Sequence, residues 1–148
     1  AHNLAYQTLV PLTDPKKMGF RTAKTVAQAI LGQSNVVLDA LLKDADLEPD
    51  VCFDLAPLAW TVLSNAFGMT KGACQEQIWQ EGVLPRISKA LESASKHPRS
   101  AQLALEILSS KGDAPSVDLR SVIESCQQVG HDIHAGLEQQ AAKCLQIR

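Results

Sequence analysis

His131, His134 and Glu138 are the residues of this 148-residue chain whose types and spacing come nearest to chemistry. Separations of three and four place them on one face of a helix, where two imidazoles and a carboxylate can ligate zinc. The set stops short of a metal site. It lacks the His-Glu-x-x-His pattern and a fourth ligand, and His131 directly follows Gly130 at what reads as a helix start. Histidines so placed serve more often as solvated or capping groups, and no metal is expected. Cys52, Cys74, Cys126 and Cys144 are scattered and form no Cys-x-x-Cys pair. They read as buried, reduced thiols of an intracellular protein rather than a disulfide framework. No stretch matches a phosphate-binding loop or a dinucleotide fingerprint, and no local Cys–His or Ser–His–Asp signature stands out. The expectation is a non-enzyme without catalytic residues or cofactor.

Composition narrows the partners. Apolar residues make up 45%, charged ones 20%, and the formal net charge is −2. That is a chain able to bury a core, neither disordered nor low in complexity. A slightly acidic balance argues against nucleic acid, which is bound chiefly through many Lys and Arg. No apolar run approaches the ~20 residues of a membrane-spanning helix. Ala1-His2-Asn3 does not open a signal peptide. An intracellular protein is expected, soluble or complex-bound.

The elements that must position these residues read as helices throughout. Apolar residues recur at helical spacing and never alternate with polar ones over a useful length. Gly19 to Leu31 carries Ala23, Val26, Ala27, Ile30 and Leu31 on one stripe, with Gly32 as a stop. Ser34 suits the N-cap of a helix from Val36 to Lys43. Pro49 suits the first turn of a helix to Phe67, although Pro57 demands a kink or a start nearer Asp54. Gly68 is read as the end of that helix. Thr70 to Gln80 follows, stopped by Gly82; then Leu84 to Ser95, Pro98 to Ser110, Ser116 to Val129 broken by Gly130, and Asp132 to Gln146. The result is a single all-α domain over residues 1–148 with about eight helices. Residues 1–15, apolar at Leu4, Tyr6, Leu9, Val10 and Leu12, read as an extended N-terminal arm.

An internal repeat orders the helices. Val26-Ala-Gln-Ala-Ile-Leu31, Leu58-Ala-Trp-Thr-Val-Leu63, Leu103-Ala-Leu-Glu-Ile-Leu108 and the weaker Gln140-Ala-Ala-Lys-Cys-Leu145 share one pattern, at steps of 32, 45 and 37 residues. These steps, uneven and lying near the period of roughly 40–47 of helical solenoids, read as degenerate repeats. Residues 58–108 go further. A tryptophan helix continues through Leu63-Ser-Asn65, a short helix leads to Glu81-Gly-Val-Leu-Pro85, and a longer helix follows. This resembles one armadillo repeat joined to its predecessor, with HEAT-like helix pairs in the flanks. The family pattern sets Trp and Asn four apart in its groove-lining helix; Trp60 and Asn65 stand five apart, on different faces. The resemblance implies a short right-handed α-solenoid of three to four degenerate repeats. It also implies a left-handed turn at Gly82, and a scaffold that binds protein segments without catalysis.

Aligning the terminal leucines makes Asp54 equivalent to Arg99, and Glu106 to Lys143. Equivalent positions of stacked repeats are neighbours, so opposite charges are expected to meet on the polar face. Asp54, Thr61, Asn65, Arg99, Gln102, Glu106 and Lys143 then form either a polar groove for a partner or a set of surface ion pairs between repeats. Lys16, Lys17, Arg21 and Lys24 cluster without an acid among them, whereas residues 39–54 hold six acids against Lys43 alone. These segments either steer charged partners or neutralise one another. The function that follows is a protein–protein interaction module: a structural subunit or scaffold of a larger assembly, or else a free adaptor binding a peptide or helix along the polar face. The expected partners are other protein chains.

Overall fold

The computed structural model describes residues 2–32, 36–46, 55–71 and 74–147, with side chains from Leu4 onward. Ser34, Pro49, Cys52 and Asp54 lie outside the described residues. Every described element is helical: α1 (His2–Leu12), α2 (Pro15–Met18), α3 (Phe20–Leu31), α4 (Val36–Ala45), α5 (Leu55–Thr70), α6 (Glu76–Ile78), a π-helical turn (Trp79–Val83), α7 (Leu84–Glu92), α8 (Pro98–Lys111), α9 (Val117–Ile133) and α10 (Ala135–Leu145).

Local chemistry explains most boundaries. α3 ends before Gly32, and α8 ends at Gly112, whose φ of 79° is the left-handed conformation that closes a helix. Gly112 N–H returns to Leu108 O at 3.2 Å. Ser116 Oγ accepts from Leu119 N–H at 3.2 Å and caps α9. The described α5 begins at Leu55, so Pro57 falls in the first turn, where a missing N–H has no helical partner to lose.

Elsewhere the structure departs from the sequence reading. Residues 2–12 are not an extended arm but a helix that packs on α5. Pro11 sits in its last turn, and the ending is secured from outside: Asn65 Nδ2 donates to Val10 O and to Thr13 Oγ1. Gly68 does not end α5, and Gly130 does not break α9; both lie inside their helices. Gly82 makes no left-handed turn, since the positive-φ glycines among the described residues are Gly19 and Gly112. The chain instead runs from α6 into α7 through the π turn, in which Leu84 N–H reaches Trp79 O. Pro85 follows directly, and its ring crowds the carbonyl four residues earlier, so a widened turn relieves it. The small size of Gly82 serves packing, because a Cβ there would stand 3.3 Å from Leu42 Cδ1.

α5 is the centre of the molecule and touches α1, α3, α4 and α8. α8 continues the row to α10, while α7 packs on α8 and α9, and α9 on α10. α5 and α8 run parallel: Ser64 Oγ donates to Glu106 Oε2 at 2.7 Å, and one turn on Gly68 faces Ser110. α9 and α10 run antiparallel, with Arg120 reaching Leu145 O at one end and His131 reaching Glu138 at the other. Trp60, Leu63, Phe67, Leu105, Ile107, Ile123 and Leu137 form one continuous core. Phe67 meets Trp79 edge to face at 5.8 Å. The C-terminus of α4 is pinned by other helices. Trp60 Nε1 donates to Ala45 O at 3.2 Å, and Arg86 Nε donates to Leu42 O at 2.6 Å while holding Asp46 at 3.0 Å. Carbonyls that a helix end leaves without partners thus become links from α4 to α5 and α7.

Candidate partner-binding surface

The described polar residues singled out from the repeat register fall on the row α5, α8, α10, and three of them, Asn65, Gln102 and Glu106, are used between neighbouring helices. Thr61 Oγ1 donates back to Pro57 O at 2.8 Å within α5. Asn65 and the buried Trp60 do occupy different faces: the amide of Asn65 is taken up by α1, and the indole of Trp60 by α4. Glu106 accepts from Ser64, and Gln102 lies against Gly136 of α10. Arg99 and Lys143 are exposed. Among the described residues Glu106 and Lys143 form no ion pair. The register brings neighbours together through hydroxyl and amide contacts and not through that ion pair; the expected pairing of Asp54 with Arg99 lies outside the described residues. The reason is offset: side chains lean toward the preceding turn, so a residue meets a position one turn away from its equivalent.

The histidines divide. His134 Nδ1 accepts from Leu137 N–H at 3.1 Å and caps α10. His131 Nδ1 lies 2.9 Å from Glu138 Oε2, an exposed pair bridging α9 and α10. Among the described residues no three His, Cys, Asp or Glu side chains converge as a metal site would require.

Cys126 and Cys144 are buried, their Sγ atoms on Leu91 O and Leu105 O. Burial pushes both thiols up from 9.0 to about 11. Cys74, only half-buried, departs from the expected buried class, and burial raises its pKa as well. Tyr6 is displaced upward from 10.0, first by burial and then by donating its hydroxyl to the buried Asp44. Each of these groups loses its proton more readily when unfolded. Their contribution to stability is therefore complete below pH 9 and lost as pH rises, through the thiols from 9.0 toward about 11 and through Tyr6 above 10.0. The urea midpoint is expected to hold from pH 7 to pH 8.5 and to fall between pH 9 and 11. A midpoint independent of pH over that range would contradict it.

A different surface was not gathered by the register. Phe20, Lys24, Gln28 and Leu31 of α3 face Gly68, Met69, Thr70 and Lys71 at the end of α5 across a groove of about 540 Å³. Lys24 Nζ stands 5.7 Å from the centre of the Phe20 ring, a cation–π contact that holds the ring as a wall. Large apolar side chains of α1 to α4 stand in water. Leu4 is 71% exposed, Phe20 64% and Val36 82%, with Met18 and Val37 also exposed. The basic cluster alone marks this region in the sequence; Met69 and Lys71, more than forty positions away, carry no local signal. Among the described residues no single helix is long and apolar enough to cross a membrane. Comparison with family models, with curated proteins and with solved structures returned no match.

Proposed function

We propose that the chain is a non-catalytic protein–protein interaction module, a short right-handed armadillo/HEAT-like α-solenoid that serves as a structural subunit or scaffold in a larger assembly. The repeat register supports the solenoid part of this reading. Removing the 45-residue step puts Glu106 on Thr61, three positions before its contact Ser64; removing the 37-residue step puts Gly136 on Arg99, three positions before its contact Gln102. Two successive pairs of helices therefore meet with the same offset, as stacked repeats do. Leu63 and Leu108 are both buried at matching places in that register.

The exposed apolar side chains of the α1–α4 side carry the assembly part. A solenoid needs polar outer faces on its terminal repeats to stand alone, and Phe20, Val36 and Leu4 give this side the opposite character. Large apolar side chains left in water on the consecutive helices α1, α3 and α4 favour an interaction face. The test is native size fractionation of extracts from the cells that make the protein. The chain is expected in a stoichiometric assembly well above its own 16.0 kDa that withstands high salt. The double variant Phe20→Glu with Val36→Glu is expected to keep its helicity and to leave that assembly. Migration of the unaltered chain as a monomer would overturn the reading.

A further inference from the structure

We propose that the groove between α3 and the end of α5 receives an acidic protein segment carrying one aromatic or branched apolar side chain. This rests on the interaction-module reading and names the chemistry of the partner. Two cations, Lys24 and Lys71, line the groove, and three more, Lys16, Lys17 and Arg21, precede Lys24 on α2 and the first turn of α3. All five are exposed. Among the described residues none of them forms an ion pair, and no carboxylate lines the groove.

Among the described residues no acid, the exposed Asp39 of α4 included, forms an ion pair with the cluster. Asp14 accepts from Lys16 N–H as the cap of α2, Asp44 is buried on the Tyr6 hydroxyl, and Asp46 is held by Arg86. Positive charge without an ion-pair partner among the described residues thus lies at an apolar slot in a protein whose net charge is −2. The floor consists of the buried Leu31 and the half-buried Met69, with the Phe20 ring as one wall. About 540 Å³ is ample for one large side chain. Carboxylates flanking that side chain would meet the rim lysines, so that charge steers the encounter and the anchor sets the dwell time. An anionic bilayer offers the same charge, but its flat surface brings no side chain down to Leu31 and Met69. The concave shape favours the peptide.

The experiment measures fluorescence anisotropy of a labelled dodecapeptide of glutamates with phenylalanine and leucine one helical turn apart, titrated with the full chain at 50 mM and 200 mM salt. Saturable binding is expected, weakened at least about tenfold by Lys24→Glu with Lys71→Glu and several-fold by the higher salt. The same peptide with alanine at both apolar places is expected to bind several-fold more weakly. Circular dichroism and the urea midpoint of the double variant establish that it is folded. Undiminished binding by the folded double variant would overturn the proposal. So would equal binding of the alanine peptide, which means charge alone, or binding to phosphatidylserine vesicles without binding to the peptide. Incorporation into the native assembly separates the two readings: an unaltered chain that enters the assembly yet does not bind the peptide removes the acidic-segment proposal and leaves the subunit reading standing.

Discussion

Replacing Gly130 by alanine is expected to destabilise the fold by about 3 kcal/mol, whereas replacing Gly68 by alanine is expected to stabilise it by up to about 1 kcal/mol. Both glycines lie inside helices, α9 and α5, where alanine is the better helix former by up to about 1 kcal/mol. Their surroundings reverse the outcome. A Cβ on Gly130 would stand 2.3 Å from Glu138 N and 2.8 Å from Glu138 Cα, both backbone atoms of α10. Nothing there can rotate away, so α9 and α10 must move apart along their shared core. A Cβ on Gly68 meets only Ser110 Oγ at 3.9 Å, an ordinary contact. Urea unfolding of the two variants beside the parent measures both effects. A Gly130→Ala protein as stable as the parent would mean that the helices do not cross this closely.

Trp60→Ala is expected to cost about 4 kcal/mol, a large part of the roughly 5–15 kcal/mol that holds a domain of this size together. The side chain is among the largest that are fully buried, and it sits on α5, which packs against α1, α3, α4 and α8. Its removal opens a cavity and also leaves Ala45 O, at the end of α4, without the indole N–H. Trp60→Phe keeps most of the apolar contact and loses only that donor, so its expected cost is smaller, about 1–2 kcal/mol. Thermal unfolding followed by circular dichroism distinguishes the terms. Equal losses in the two variants would assign the effect to the hydrogen bond, and a negligible loss in Trp60→Ala would contradict the burial of this side chain.

Asn65 and Glu106 show what the candidate surface owed to spacing. The leucine register puts both on the row of α5 and α8, and that is where they are. It does not supply their partners. Asn65 is occupied because α1 folds back over α5, and Glu106 because Ser64 lies one turn from its equivalent position. The groove beside Phe20 was legible only by half, since Lys16, Lys17, Arg21 and Lys24 are local and Lys71 is not.

By itself the sequence determined that the described chain is helical and where several of its helices start or stop, at Gly32, Pro98 and Ser116. Such ends depend on hydrogen bonds and φ values within about four residues, and those are written in adjacent letters. Only the tertiary structure decided that residues 2–12 form a helix, that Gly82 lies in a π turn against Leu42, and that Gly130 is a crossing point rather than a break. The meaning of a glycine or an exposed lysine depends on what another helix brings to within a few ångströms. That distance is set by packing, to which residues far apart in the chain contribute together.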